Sequence, residues 1–368
     1  MMISRRTFTL SALAAVGGVT TLTSCSSGAE GRYDVASRDL WRHSAVIPKE
    51  KAALLHELVR YATLAPSSHN TQCWKFHIGD NAISILPDFS RRCPAVDPDD
   101  HHLFVSLGCA AENLAQAALA HGLMAHSSVD AAAGNALRLS LEPTRALASP
   151  LFQAIPVRQS TRADYDGKPL TTYELDLLQR AGSGNGVRLI LLTQRTAMEN
   201  VLEYVVQGNT AQMQDRAFIA ELKKWMRFNA DDAMQMGDGL YSALSGNPSL
   251  PSSLGSVLFD LFFTPKSEND KYAKQVRSSA GIAVFVADGS SPADWLEVGR
   301  CYERFALQSA ALDIRNAFLN QLVEVSALRP QFANFLGIAP RRPDLVVRFG
   351  HGPRMASSMR RPVQSVLV

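Results

Sequence analysis

Apolar positions along the chain switch between two periods, and the switches lay out its elements. From 49 to 64, Leu54, Leu55, Leu58, Val59 and Ala62 recur at helical spacing. Pro66 biases Ala65 out of the helical region, so the helix stops there. Trp74, Phe76 and Ile78 then alternate with Lys75 and His77, the mark of a half-buried strand. Gly79-Asp80-Asn81 turns the chain into a second strand, Ala82 to Leu86. Asp99 or Asp100 is placed to cap a long helix running to about His121. Its Gly108, Ala110, Ala111, Ala115, Ala117 and Ala118 form a small-residue surface suited to close packing.

The second half repeats the plan. Thr171-x-x-Glu174 is a capping box before a helix bearing Leu175, Leu177, Leu178 and Ala181. Apolar strands follow at Val187 to Leu192, Ile282 to Ala287 and Asp344 to Phe349. A second long helix is predicted from about Pro292 to Ala311. It matches the first at an offset of 191, pairing Gly108 with Gly299, Glu112 with Glu303 and Ala115 with Ala306. Residues 205–275 have no counterpart in the first half and read as an inserted cover or lid. The division predicted is 1–30 as a leader and tether, 40–150 as one lobe and 151–368 as the other.

The leader changes the picture. Ser4-Arg5-Arg6-Thr7-Phe8 precedes an apolar run to Leu22 and resembles the twin-arginine signal, which exports cargo already folded. The run is short for a permanent span. It ends Leu22-Thr23-Ser24-Cys25, which resembles a lipobox and makes Cys25 the candidate for lipidation, with Ser26-Ser27-Gly28-Ala29 opening a tether. The expectation is an exported protein, periplasmic or held at the membrane through a lipid. Composition adds little: 46% hydrophobic, 19% charged and a net charge of +3. Without a dense Lys/Arg run, nucleic acid is not expected as a partner. Cys73, Cys93, Cys109 and Cys301 show neither Cys-x-x-Cys nor zinc spacing. Cys109 and Cys301 read as buried thiols.

Three segments carry candidate chemistry. Pro66, Ser67, Ser68 and Asn70 follow a helix end with short hydroxyls and an amide, which suit either a ligand or a simple Asx/Ser turn. Arg158-Gln159-Ser160-Thr161-Arg162 sets two guanidiniums around a hydroxyl, which suits a phosphate or a solvated turn. Arg348 precedes Gly350-His351-Gly352, and Arg360-Arg361 is either phosphate-binding or a basic tail. Asp97, Asp99, Asp100, His101 and His102 read as a helix cap with solvated histidines rather than a metal site. Gly182 to Gly186 follows a helix and precedes a strand, the reverse of a dinucleotide fingerprint.

Ala65-Pro66-Ser67-Ser68-His69-Asn70-Thr71-Gln72-Cys73-Trp74 and Arg158-x-Ser160-x-Arg162 together resemble the FMN-dependent nitroreductase superfamily, in its two-lobed Acg-like branch. The resemblance covers nearly all of 40–368. It implies an α+β, three-layer fold in which two tandem lobes form a pseudo-dimer within one chain, so that a monomer suffices. It implies FMN in the seam, with Pro66, Ser67, Ser68 and Asn70 on one wall. Arg158, Gln159, Ser160, Arg162, Arg360 and Arg361 stand on the other, and Leu319, Asn320 and Gln321 lie near the reactive edge. Two features depart from the pattern. Cys73 stands where the family has proline, which would loosen the loop or bring a thiol near the flavin. Arg42-His43-Ser44 resembles a second arginine–hydroxyl motif that lacks the later Arg/Lys.

The activity implied is two-electron reduction of a small acceptor such as a nitroaromatic or quinone, with no protein acid or base required and no metal. The alternative is a protein that stores or sequesters flavin beneath its lid. Export conflicts with NAD(P)H as donor, because that donor is not freely available outside the cytoplasm.

Overall fold

A computed structural model of the chain describes residues 19–368 apart from Ile47, with side chains from Gly28 onward. Arg5, Arg6 and the rest of the export motif lie outside the described residues, as does the side chain of Cys25. The first half contains α1 (Val19–Leu40), α2 (Lys51–Thr63), β1 (Trp74–Ile78), β2 (Ala82–Pro87), α3 (His101–Ala120), β3 (Leu123–Asp130) and β4 (Ala136–Pro143). The second contains α4 (Thr172–Ala181) and β5 (Val187–Leu192). Five helices follow: α5 (Arg195–Gln214), α6 (Arg216–Trp225), α7 (Ala230–Met236), α8 (Ser252–Phe262) and α9 (Pro265–Arg277). The half closes with β6 (Gly281–Ala287), α10 (Pro292–Ala311), β7 (Ile314–Phe318) and β8 (Leu345–His351). The fold is α+β.

The repeat extends to topology. One four-stranded sheet runs β1-β2-β4-β3 and the other β5-β6-β8-β7, with every neighbour antiparallel. In each half a helix precedes the first strand and a long helix follows the second. Where the first half makes a tight turn at Gly79–Asn81, the second inserts α5 to α9. The insertion is longer than 205–275, because Val205 falls inside α5, which buries Met198, Val201 and Leu202.

Packing explains the strand patterns. α3 and α10 lie face to face between the sheets, and one core runs through both halves, from Leu58, Trp74 and Leu107 to Phe285, Tyr302 and Phe349. A second core, including Val201, Val284, Val286 and Phe332, covers the far face of the second sheet. β6 is therefore buried at every position, and its apolar run is continuous rather than alternating. Among the described residues the first sheet has no such cover. β3 is exposed along most of its length, so its polar sequence carried no strand signal.

The two long helices cross at a point where no side chain fits. A Cβ on Gly108 would stand 2.0 Å from the Leu296 carbonyl oxygen, and a Cβ on Gly299 would stand 2.0 Å from that of Val105. Both contacts keep the 191-residue offset, which places the pseudo-two-fold axis between the glycines. The halves are also stitched by chain crossing: Leu367 bridges Phe76, and the Val368 amide donates to the Phe76 carbonyl at 3.0 Å, at the edge of the first sheet.

Two expectations change. Asp97, not Asp99 or Asp100, caps α3, its Oδ2 accepting the Leu103 N–H at 2.9 Å. Asp100 adopts a left-handed φ of 59° and pairs with Arg92 instead. The tether does not extend to residue 30: Gly28 onward is helical, and Ala29 and Tyr33 are buried against Ala230, Ala233 and Tyr241 of the insertion.

The crossing generates the first prediction. Gly299→Ala should destabilise the chain by about 3 kcal/mol, since backbone rather than a flexible side chain must move. Urea unfolding checks this, and an unchanged midpoint would show that the helices are not in contact there.

Candidate functional site

The seam between the halves holds a cavity of about 350 Å³. Of the residues singled out in sequence, Pro66, Ser67, Ser68, Asn70, Arg158, Gln159, Ser160, Arg162, Asn320, Gln321 and Arg360 line it. Leu319 does not, because it is fully buried in the second core. Arg361 does not either. Its amide donates to Gln72 Oε1 at 2.8 Å and its guanidinium to the Ser365 carbonyl.

Lining the cavity is not the same as being free to bind. Arg360 is 5% exposed and its donors are taken. It bonds the carbonyls of Thr63 (2.7 Å), Leu64 (3.1 Å) and Ala65 (3.0 Å), which are left open where α2 ends. It also bonds Asn70 Oδ1 and Ser358 Oγ. Burial, then the nearby Arg158 charge, pull its pKa down to about 9. Arg158 donates to the same Leu64 carbonyl at 2.9 Å, and its Nε lies 3.2 Å from Glu303 Oε1. Asn70 Nδ2 holds Gly239 and Met359 carbonyls, and Gln159 holds both the carbonyl and the amide of Met355. Arg348, fully buried, donates to the Thr161 and Ala163 carbonyls at 3.0 and 2.8 Å.

These side chains build the site rather than fill it. They leave Arg162 between two clamped carbonyls, and among the described residues its guanidinium makes no hydrogen bond or ion pair. Burial pulls its pKa down, against the opposing influence of Tyr272 and Tyr165. Ser160 Oγ and Gln321 Oε1 are buried without a partner, and among the described residues the Ser68 hydroxyl makes no protein hydrogen bond. The free polar groups thus include one cation, two hydroxyls and an amide oxygen, together with the unpartnered ring nitrogens His69 Nδ1 and His102 Nε2. Around them stand Val105, Phe318, Leu222, Met226, Phe259 and Phe263.

The loop beside them is held in an unusual shape. His69, Asn70 and Gln72 have φ of 49°, 53° and 52°, a region that costs non-glycine residues on the order of 1–3 kcal/mol each. Gln72 Nε2 donates to the Gly237 carbonyl at 2.8 Å and the Gln72 amide to Ser67 Oγ at 2.9 Å. Insertion and C-terminal segment together hold the strained loop. His69, missed as a separate candidate, faces the cavity with Nδ1 unpartnered. Burial and the Arg162 charge bring its pKa down to about 4, so it is neutral at neutral pH. Lys271, Tyr272, His102 and Ser106 also line the cavity. They come from α9 and α3, where helical periodicity alone does not say which positions face a ligand.

The remaining candidates resolve as follows. Cys73 is buried outside the cavity lining, and burial raises its thiol to about 12. The cavity thiol is Cys109, also buried and raised. All four cysteines with described side chains are unpaired. His101 and His102 are buried, not solvated: His101 Nε2 pairs with Asp344 at 3.0 Å and His102 Nδ1 lies 3.8 Å from Glu324. Arg42 is exposed, His43 packs among Tyr61 and Phe152, and Ser44 bonds Glu57.

The pseudo-two-fold axis creates a second seam, and it is filled. Glu112 replaces Glu303, and Arg304 reaches it at 3.0 Å while donating to the carbonyl of Ala181 at the end of α4. This mirrors Arg158, Glu303 and Leu64. Arg300 adds bonds to Glu112, Glu297 and Ser127, closing the space.

No family model matches the sequence. Over 314 residues the chain is 22% identical to a Mycobacterium tuberculosis protein carrying the name of an NAD(P)H nitroreductase, known from two strains, and the match spans 82% of this chain and 86% of that protein. Among solved structures, a nitroreductase with bound FMN from Desulfitobacterium hafniense aligns with 60% of this chain and 98% of its own, at 14% identity and a TM-score of 0.39. An FMN-dependent nitroreductase from Mycobacterium smegmatis in complex with NADPH aligns with 59% of this chain and 91% of its own, at 13% identity and a TM-score of 0.35. In sequence, the chain is similar to nitroreductases over most of its length.

The Glu303–Arg158 pair generates the second prediction. Burial raises the Glu303 carboxyl from its ordinary 4.5 to about 7 despite Arg158. Between those values the folded chain holds a proton that the unfolded chain has lost. Stability therefore falls as pH rises through this window, with no contribution to the slope below or above it. Glu303→Gln should remove that part of the slope in urea unfolding at pH 5 and 7.5. Arg158→Ala should cost about 3 kcal/mol at pH above 7, where the Glu303 carboxyl is charged and loses its counter-charge, and less at pH 5.

Proposed function

We propose that the chain is an FMN-binding oxidoreductase of the nitroreductase superfamily, working in the cell envelope. It reduces a small acceptor such as a nitroaromatic or quinone. The observation that carries the reading is Arg162: a cation in the seam cavity without a protein partner, beside the unpartnered hydroxyls of Ser160 and Ser68. A half-buried guanidinium left unpaired is unfavourable, and an anion that joins it relieves the cost. A phosphate supplies that anion and accepts from the hydroxyls. The apolar side chains of Val105, Phe318, Met226 and Phe259 suit a flat ring system. The likeness to the mycobacterial relative supports the same reading.

FMN, when bound, supplies the two-electron transfer. Arg162, Ser160 and Ser68 bind its phosphate and ribityl end, while Arg348 and Arg360 hold the backbone that presents them. Asn320 and Gln321, on the cavity wall, would lie toward its ring system. The insertion excludes water. The chain need supply no proton, so no catalytic acid or base is assigned. Ser4 to Phe8 and Leu22 to Cys25 support twin-arginine export with lipidation of Cys25, and with it an electron donor of the envelope rather than NAD(P)H.

A second reading has its own support. Leu222, Met226, Tyr241, Phe259 and Phe263 come from the insertion and form a large part of the cavity wall. A cover this extensive suits a protein that holds flavin and turns over little.

The protein loaded with FMN, photoreduced without oxygen and mixed with acceptors, separates the two. Rapid reoxidation by a nitroaromatic or quinone supports the enzyme, slow acceptor-independent reoxidation supports sequestration, and failure to take up FMN overturns both. Arg162→Ala should weaken FMN binding by about 1.5–3 kcal/mol, roughly 10- to 150-fold, with little change in stability. Unchanged affinity in fluorescence titration would remove Arg162 from the site.

A further inference from the structure

We propose that α8 is a membrane-contact helix whose outer face lies in a lipid surface. Apart from a polar stripe of Ser253, Ser256 and Asp260 its surface is apolar, and only part of that apolar surface is covered. On the inner side Gly255 is pressed against Phe228, where a Cβ would meet ring carbons at 2.6 to 2.7 Å. Phe259 and Phe263 stack at 4.4 Å and line the cavity. On the outer side Leu254, Val257, Leu261 and Phe262 are 47%, 55%, 63% and 70% exposed. The spacing of three and four puts Leu254, Val257 and Leu261 on one face of the helix, and Phe262 extends it at the C-terminal end. A helix whose apolar arc is this wide is normally covered by a core or by lipid, and here a core covers only part of that arc.

Charge and length agree. Asp260 is the only charged residue in Ser252–Phe262, and Lys223 neutralises it at 2.8 Å. Eleven residues rise about 16 Å, half of what a bilayer core requires, so α8 lies in the interface rather than across it.

The surroundings of α8 also favour lipid over another protein. The apolar run Phe8 to Leu22 leads into α1, and α1 is docked on the insertion that carries α8. Arg32 pairs with Asp231 at 2.8 Å, and at the same helix start Asn229 Nδ2 donates to Ser252 Oγ at 3.0 Å. Asp232 holds the Ser252 hydroxyl as well. A membrane that receives the leader is thereby brought to the first turn of α8. This rests on the envelope reading above and is independent of the flavin. It leaves one helix between the lipid phase and the cavity, so lipid-soluble molecules meet the insertion first.

Hydrogen exchange of the full chain, with and without vesicles of phosphatidylcholine and phosphatidylglycerol, tests the proposal, and flotation reports binding separately. Amides of 252–262 should exchange roughly fivefold or more slowly on vesicles. The Leu254→Ser, Leu261→Ser double variant should lose that protection while keeping its melting temperature. A chain that floats with vesicles but leaves 252–262 unprotected overturns the proposal, as does a chain that fails to float. Protection that rises with protein concentration in the absence of vesicles overturns it in favour of a second copy. None of these outcomes depends on FMN uptake.

Discussion

The contact on which the structure depends is the crossing of two helices at Gly108 and Gly299. Because neither has a side chain, backbone meets backbone, and α3 and α10 approach closely enough for one core to serve both halves. The crossing also fixes where everything else falls. One turn beyond it on each helix stands a glutamate, Glu112 or Glu303, and each reaches a guanidinium that in turn holds the last carbonyls of a helix from the other half. The two seams follow from that geometry, one open and one filled.

Within the open seam, arginines do two kinds of work. Arg348 and Arg360 are buried and saturated, and they act on backbone: one on the carbonyls after Ser160, the other on the end of α2. Arg158 divides itself between Glu303 and Leu64. With those positions fixed, Arg162 cannot retreat to a partner of its own, and the strained turn at His69 and Asn70 cannot relax. A site that stays polar while enclosed by aromatic side chains of the insertion needs such a frame, since water would otherwise satisfy its free groups.

Much of this was legible in sequence. Helical and strand periods located α2, β1, β2, α3, β5 and α10 closely, and the 191-residue offset found the glycine pair. β3 was invisible because its exposed positions carry no apolar alternation, whereas β4 was legible in Leu137, Leu139 and Leu141 alternating with Arg138, Ser140 and Glu142 and was missed. The site was legible as a set of segments and not as a set of roles. Ser68, Asn70, Arg162 and Arg360 are equally polar on paper, and only burial and partners separate a ligand group from a backbone clamp. Burial also reverses the reading of His101 and His102, whose carboxylate partners Asp344 and Glu324 lie more than two hundred residues away. The helical stretch after Gly28 was hidden for the same reason: its partners, Ala230, Ala233 and Tyr241, belong to a segment with no counterpart in the repeat.

The filled seam has a consequence for how such a chain can change. In an assembly of two identical subunits every substitution is made twice, once at each seam, so neither can be altered without altering the other. Here Glu112 and Glu303 are separate codons. Arg300 and Arg304 close one seam without touching the Arg158 side, and an insertion can cover one mouth alone. Joining the halves in one chain releases each seam from inheriting its twin's mutations.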